Sequence, residues 1–212
     1  MNENHTSLCS SPEWAERIQT ELLPALARDV ELGQDMLEVG PGTGAATEWL
    51  RRKVARLVAL EIDPEAAESL AASYEASNVE VVVGDASAME YPDGSLDSVG
   101  AFTMLHHVPI AAAQARVLSE MYRVLRPGGV LIVSDSLASD ELHHFHAGDT
   151  YSPVEPTCLL VLVRALGFRK VTLGIDVGLR LVAHKPAPDD GALGPLLGAA
   201  SRKATPKRGL GT

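Results

Sequence analysis

The stretch LEVGPGTG at residues 37–44 decides the fold, because a short apolar run ends there in three alternating glycines. The residues that follow, AATEWLRRKVA (45–55), have the composition of a helix, so the predicted order is strand, glycine turn, helix. Glycines let the backbone turn tightly and let a ligand approach where a Cβ would collide, while the helix presents free N–H groups. The pattern is typical of a nucleotide-type site, although a purely structural turn would also show it.

The alternation of strand and helix repeats along the chain. Strands are predicted in RLVALEI (56–62), VEVVVGD (79–85), LDSVGAF (96–102) and GGVLIVSDS (128–136), and helices in PEAAESLAASYEA (64–76) and IAAAQARVLSEMYRVL (110–125). Strands separated by helices indicate a parallel sheet covered on both faces. A helix in TCLLVLVRALGF (157–168) then precedes two strands, RKVTLGID (169–176) and GLRLVAHKP (178–186). The link between these two strands is so short that they must pair antiparallel.

The two ends of the chain differ in pattern. The first thirty residues predict a helix, with an apolar stripe of Trp14, Ile18, Leu22 and Leu26 at intervals of four. From Pro186 onward, nine of the last 27 residues are Gly or Pro and no period survives. The predicted organisation is therefore one domain over 1–186 with an N-terminal helix, followed by a flexible tail over 187–212.

Charge, hydropathy and cysteine use exclude several classes of protein. Lys and Arg total 18 against 28 Asp and Glu, a net charge of −10, and residues 186–212 hold four basic and two acidic side chains, so the body carries −12. Such a body lacks the cationic excess that gives affinity for nucleic acid. No apolar run reaches the ~18–20 residues that span a membrane, so a cytoplasmic protein without stable membrane insertion is expected. Cys9 and Cys158 are too far apart for a disulfide framework or a thiolate zinc site.

Acidic residues end the first three predicted strands. Glu61 comes 17 residues after Gly44, where a carboxylate can accept both hydroxyls of a ribose seated over the glycine turn. Asp85 ends the third strand and is suited to an adenine amino group. One such acid alone is usually a solvated strand-end residue. With Glu38 near the end of the first strand, however, three consecutive strands end in an acid, and this indicates a nucleoside pocket.

These elements together resemble the class I methyltransferases that use S-adenosylmethionine. The matching segments are LEVGPGTG (37–44), ALEID (59–63), VVVGDASAMEYPDGSLDSV (81–99), FTMLHHV (102–108) and EMYRVLRPGGVLIVSD (120–135). The resemblance covers roughly residues 35–185. It implies an α/β, Rossmann-like fold whose seven-stranded, mostly parallel sheet has the order 3-2-1-4-5-7-6, with strand 7 antiparallel and helices on both faces. It also implies S-adenosyl-L-methionine as the cofactor.

The resemblance assigns donor-binding roles residue by residue. Glu38 would support the methionyl ammonium, Gly40, Gly42 and Gly44 would shape the turn, Glu61 would hold the ribose hydroxyls, Ile62 would pack on the adenine face, Asp85 and Ala86 would meet the adenine edge, and Thr103 would line the floor. Asp97, at the start of the fourth strand, is interpreted as structural.

The acceptor side offers several candidate bases. Methyl transfer from a sulfonium is an in-line displacement, so the protein mainly aligns a nucleophile and excludes water, and a base is needed only for a protonated acceptor. The catalytic candidates are His106, His107 and Asp135, although the LHH segment after strand 4 often only packs or contacts the donor. An irregular loop over 136–156 would add His143, His144, His146 and Tyr151. Histidines 143, 144 and 146 could bind a metal, since 143 and 146 would share a face if this loop were helical, but no metal is predicted.

The acceptor class follows from motif and charge. The opening LEVGPGTG…ALEID is similar to that of ribosomal RNA adenine dimethylases, but TMLH (103–106) stands where those enzymes have an Asn-Leu-Pro-Tyr-type motif. With the acidic body, this difference argues against RNA. The segments PDGSLDSVGAFTMLHHV (92–108) and RVLRPGG (123–129) are most similar to the small-molecule group. The prediction is a methyltransferase that acts on a small-molecule acceptor; a protein acceptor has no support in the sequence.

Two other hypotheses stay open. A nicotinamide-dependent oxidoreductase is less favoured, because the third glycine comes one residue too early for G-x-G-x-x-G. A catalytically silent S-adenosylmethionine-binding module would have the same pocket, since catalysis by alignment leaves no obligatory residue to inspect. The sequence contains no signal for the oligomeric state.

Overall fold

The centre of the molecule is a single seven-stranded sheet. The computed structural model describes residue 2, residues 7–176 and residues 178–188. Within these residues the strands are ordered β3-β2-β1-β4-β5-β7-β6. β1 to β5 pair in parallel, whereas β7 is antiparallel to both of its neighbours, as predicted. The strands are β1 (Asp35–Val39), β2 (Arg56–Glu61), β3 (Val79–Val83), β4 (Leu96–Phe102), β5 (Leu125–Asp135), β6 (Arg169–Ile175) and β7 (Leu179–His184).

Helices cover both faces of the sheet. The N-terminal helix α1 has an α-helical section Pro12–Arg17, a π-helical section Ile18–Leu22 and a second α-helical section Leu23–Leu26. The others are α2 (Thr47–Leu50), α3 (Pro64–Ser73), α4 (Ala111–Val124), α5 (Asp140–Phe145) and α6 (Pro156–Leu166), with a 3-10 turn at Leu105–His107. None of the helices in the described ranges is both long and apolar enough to cross a membrane.

Two apolar clusters hold these layers together. Successive residues of a strand point to opposite faces, so Leu37 belongs to the cluster under α4 and α6, while Met36 belongs to the cluster under α1. Ile18 and Leu26 of the predicted stripe are buried in the α1 cluster, against which Trp14 and Leu22 are partly buried. The N-terminal helix therefore lies across one face of the sheet, next to the carboxyl ends of its central strands.

Two segments differ from the sequence expectation. The helix predicted over 45–55 is reduced to α2, because the amide of Asn78 donates to the carbonyls of Arg51 and Val54 and so competes with further helical bonds. The loop over 136–156 contains a helix, α5, whose first turn is capped by the Ser139 hydroxyl accepting from the amide of Leu142 at 3.1 Å. Six residues are too few to show a helical period. The predicted tail lies almost entirely outside the described residues.

Candidate active site

The glycine turn after β1 contains one position with open space. Gly40, Gly42 and Gly44 all have positive φ, at 65°, 54° and 85°. A Cβ on Gly40 would lie 2.2 Å from Cγ of Met104, and one on Gly44 would lie 2.7 Å from Cδ1 of Leu70. A Cβ on Gly42 would meet nothing within 4 Å. Protein atoms therefore fill the space beside the outer two glycines, and the space at Gly42 is open to a ligand.

Glu61, at the end of β2, is fixed against this turn. Its side chain is only 7% exposed. Oε2 accepts from the amide of Gly42 at 3.1 Å, and Oε1 accepts from the amides of Ile62 and Asp63 at 2.9 and 3.1 Å. A carboxylate has about four lone-pair positions, so acceptor capacity remains for a ligand hydroxyl. The predicted partner of the ribose thus lies beside the open glycine.

The residues assigned to adenine follow the ends of β2 and β3. Ile62 is 69% exposed, so its side chain gives an apolar face on which an aromatic base can pack. Asp85 is exposed, and its Oδ1 accepts from the amide of Ser87 at 2.7 Å, while Ala86 is half-buried. The ends of these strands therefore present both an apolar face and a carboxylate.

Thr103, immediately after β4, has an uncommon backbone conformation. Its φ is 50°, a region that β-branched residues rarely occupy. Its amide donates to the carbonyl of Ser134 at 2.8 Å and its hydroxyl to the carbonyl of Phe102 at 2.8 Å. These contacts hold the chain in this conformation where it leaves the sheet, and such strain concentrates at functional sites.

Glu38 is a buried carboxyl group beneath the glycine turn. It is 1% exposed, and its Oε2 accepts from the Thr47 hydroxyl at 2.7 Å. Burial raises its pKa to about 7; the Thr47 bond acts in the opposite direction, and the negative charge of Glu61 adds to the rise. Perturbed pKa values of this kind concentrate at functional sites.

Two of the predicted catalytic residues meet in a buried pair. Nδ1 of His106 donates to Oδ1 of Asp135 at 2.5 Å, and the amide of His106 donates to Oδ2 at 3.2 Å. The amide of Ser136 also donates to Oδ1, at 2.7 Å. The pair joins the turn after β4 to the end of β5, beside Thr103. His107 is half-buried, and the centre of its ring is 4.1 Å from that of His106.

His146 and Tyr151, which the sequence placed in a loop able to close over the strand ends, lie beside the histidines of the 3-10 turn. The ring of His146 is 5.1 Å from that of His106 and 5.5 Å from that of His107, and it stacks on Tyr151 at 4.4 Å. His143 and His144 are exposed on α5, while His146, after its last turn, is buried, so the structure groups His146 with His106 and His107 rather than with its neighbours on the helix. A short helix with no apolar period gave no signal for which of the three histidines would be buried.

An open cavity of about 180 Å³ lies between α1 and the carboxyl ends of β4 and β5. Trp14 and Ile18 line it on one side and Thr103 and Asp135 on the other. Arg180 of β7, which forms an ion pair with Asp176, closes a third side. The N-terminal helix therefore contributes both apolar residues and the charged Arg17 and Glu21 to the cavity, and the strand ends contribute polar groups.

Comparison with known proteins agrees with this arrangement. A family model described as a methyltransferase domain matches residues 37–133. Methyltransferase GfsG of Streptomyces halstedii is 31% identical over 162 residues, which are 73% of this chain and 54% of that protein. The chain belongs to the class I methyltransferases that use S-adenosyl-L-methionine. Membership of this family sets aside a nicotinamide-dependent oxidoreductase and makes S-adenosyl-L-methionine the cofactor.

Other similarities are more partial. A probable ribosomal RNA small subunit methyltransferase A of Pyrobaculum islandicum is 45% identical over 73 residues, covering 34% of this chain and 28% of that protein. The solved structure of the PH0226 protein from Pyrococcus horikoshii covers 84% of this chain and 93% of its own, with a TM-score of 0.70 at 22% identity, which supports the fold alone. The chain spans about half the length of GfsG and less of the ribosomal RNA enzyme.

Proposed function

We propose that this chain transfers the methyl group of S-adenosyl-L-methionine, by in-line displacement, to a small-molecule acceptor. The observation that carries the proposal is the open space at Gly42 beside the buried Glu61 carboxylate. The donor, when bound, supplies a methyl carbon already activated by a sulfonium. The residues of this chain therefore have to bind, orient and exclude water rather than generate a reactive group.

The environment of each residue fits the donor-binding role that the family resemblance implies. Glu61 would accept from the ribose hydroxyls, Ile62 would pack on the adenine, Asp85 and Ala86 would meet the adenine edge, Thr103 would form the floor, Gly40 and Gly44 would hold the turn, and Gly42 would give room for the ligand. Glu38 lies deeper and supports the ammonium group from below the turn. Its negative form is stabilised when a cation approaches, because an opposite charge favours ionisation of a buried carboxyl group.

The acceptor side is formed by the cavity under α1 and by the histidine turn. The His106–Asp135 pair holds one imidazole in a fixed orientation, and His107 beside it is more accessible. A neutral imidazole can accept a proton near neutral pH, so this pair and His107 suit an acceptor that loses a proton on methylation.

A small acceptor is favoured by the charge of the chain. The net charge is −10, and the basic excess that attracts RNA phosphates is missing. The similarity to the ribosomal RNA enzyme of Pyrobaculum covers only 34% of this chain. A cytoplasmic location is proposed with this activity, because Cys9 and Cys158 are both free thiols, which fits a reducing compartment.

Transfer of a labelled methyl group tests both halves of the proposal. The chain is incubated with S-adenosyl-L-methionine labelled in the methyl group and with separated small-molecule, RNA and protein fractions of host extract. We expect label in the small-molecule fraction. Label only in RNA or protein would overturn the acceptor assignment, and tight donor binding without any product would favour a silent binding module.

Binding of S-adenosylhomocysteine to variants tests the donor pocket. Glu61→Ala removes the carboxylate next to Gly42, and we expect affinity to fall at least tenfold, on the order of the 1.5–3 kcal/mol of a charge-assisted hydrogen bond. Glu80→Ala is the matched control, because it removes an exposed carboxylate that pairs with Arg56 far from the glycine turn. Equal affinity of the two variants by calorimetry would refute the assignment of the pocket.

A further inference from the structure

Three imidazoles converge beside the predicted acceptor site. His106, His107 and His146 can each offer one ring nitrogen so that these atoms all lie within 4.8 Å of one another. His106 and His146 are buried and His107 is half-buried. Two of these residues come from the 3-10 turn after β4 and the third from the end of α5, so the fold assembles the group from distant parts of the chain.

The hydrogen bonds of two of these rings determine which nitrogen carries the lone pair. Nδ1 of His106 donates to the carboxylate of Asp135 at 2.5 Å, and Nδ1 of His146 donates to the carbonyl of Leu142 at 2.7 Å. In a neutral imidazole with its proton on Nδ1, Nε2 is the nitrogen that can bind a metal. A carboxylate or a backbone carbonyl behind Nδ1 is the outer-shell arrangement found for histidines that bind metals.

We propose that His106, His107 and His146 form a binding site for a divalent transition-metal ion of the zinc type. Imidazole is a preferred ligand of such ions. Bonds of about 2.0–2.1 Å in a tetrahedral site place the nitrogens about 3.4 Å apart, so the rings have to move together by roughly 1 Å. Three protein ligands leave a fourth position for water or an acceptor atom.

The site deepens the proposed function, on which this step rests. A metal ion lowers the pKa of an oxygen group bound to it, which is the task otherwise given to a general base. With His106 and His107 occupied as ligands, the ion would activate an acceptor hydroxyl in their place. Methyl transfer to such an acceptor would then be lost on treatment with a chelator and restored by the metal.

Cobalt binding tests the site without donor or acceptor. The full chain is freed of metal with a chelator and titrated with Co²⁺, whose visible absorption reports four-coordinate geometry, and Zn²⁺ is then added as competitor. We expect one Co²⁺ per chain, displaced by Zn²⁺. His107→Gln and His146→Gln should each weaken binding at least about tenfold, and Asp135→Asn, which replaces the carboxylate behind His106 with a neutral amide, by about 10–100-fold.

His144→Gln is the matched control, because His144 is exposed on α5, the helix that leads to His146. Its Nδ1 forms a hydrogen bond with the carbonyl of Asp140 in the preceding turn of that helix. Its affinity for Co²⁺ should stay within about twofold of the original. Far-UV circular dichroism and thermal melting of the metal-free variants show whether each still folds. Absence of the Co²⁺ spectrum up to millimolar metal, or binding that survives both His107→Gln and His146→Gln, would overturn the site. Because no donor is present, either result leaves the donor-pocket test with Glu61→Ala unaffected.

Discussion

Glu38 combines a polar function with a nearly complete loss of solvent. Burial raises the pKa of Glu38 to about 7, so the group is neutral in the folded chain at pH values where it is ionised in the unfolded chain. Between these two pKa values the folded state binds one more proton than the unfolded state, and stability therefore falls as pH rises. This contribution is largest below about pH 4.5 and is lost by about pH 7.

The expected size of this effect at Glu38 is on the order of 3 kcal/mol, because the pKa is about 7 in the folded chain against an ordinary value of 4.5. Chemical denaturation of the donor-free chain at a series of pH values measures it. Glu38→Gln should remove this fall in the free energy of unfolding, and Thr47→Val, which deletes the bond that lowers the pKa, should extend the fall to higher pH and so make it larger. Parallel curves for Glu38→Gln and the original chain would contradict the raised pKa.

For single residues, the sequence indicated which side chains would lie near the site but not how deeply each would be buried. The glycines, Glu61 and Asp85 could be placed because each ends or follows a strand whose pattern is plain. The burial of Glu38 depends on how closely Thr47 and Glu61 approach it, which no local pattern records. The burial of His146 was not predicted for a similar reason: it depends on where a helix of six residues ends.

The end of α6 shows how one residue fixes the packing of two helices. Gly167 has φ of 110°, and its amide donates to the carbonyl of Arg164 to close the helix. A Cβ on Gly167 would lie 2.7 Å from the hydroxyl of Tyr122 on α4. The glycine therefore allows both the left-handed conformation and the close approach of α4.

Gly167→Ala should cost about 1–3 kcal/mol in the free energy of unfolding, because alanine is strained at this φ and its methyl group meets Tyr122. For a chain of this size that corresponds to a fall in Tm of roughly 2–10 °C. Gly174→Ala is the matched control, since a Cβ there meets atoms only at 4.0 Å and the strand backbone accepts alanine. The melting temperatures of both variants are measured by circular dichroism. Equal values would contradict this account of α6.

Among the elements, strands were easier to predict than short helices. All seven strands were recognised within a few residues, because buried parallel strands are continuous apolar runs bounded by turn residues. The lengths of α2 and α5 were not, since α2 is cut short by the side chain of Asn78 and α5 has too few turns to show a period. Tertiary contacts, rather than propensity, set these boundaries.

At the scale of the whole molecule, two features matter: the net charge and the attachment of the last strand to the helix layer. The net negative charge follows from the composition and favours a small acceptor over RNA. The attachment of β7 to the end of α4 could not be predicted from composition, because it depends on the contacts of Lys185, which follows β7. Its amide and carbonyl pair with Gly129 and Gly128, and its Nζ donates to the carbonyls of Tyr122, Arg123 and Leu125 at 2.8, 3.3 and 2.6 Å. The same Nζ lies 4.6 Å from the centre of the Tyr122 ring.

Lys185 therefore ties the last strand to the end of α4, and we expect stability to depend on it rather than on the residues beyond Pro188. Lys185→Met keeps the apolar stem but leaves three carbonyls without the ammonium, which should cost about 1–3 kcal/mol and lower Tm by several degrees. Lys53→Met is the matched control, because that exposed ammonium lies over Trp49. The chain shortened after Pro188 should melt within about 2 °C of the full chain. A larger loss on shortening than on Lys185→Met would show that residues 189–212 contribute to the fold, and the domain would then have to be extended to include them.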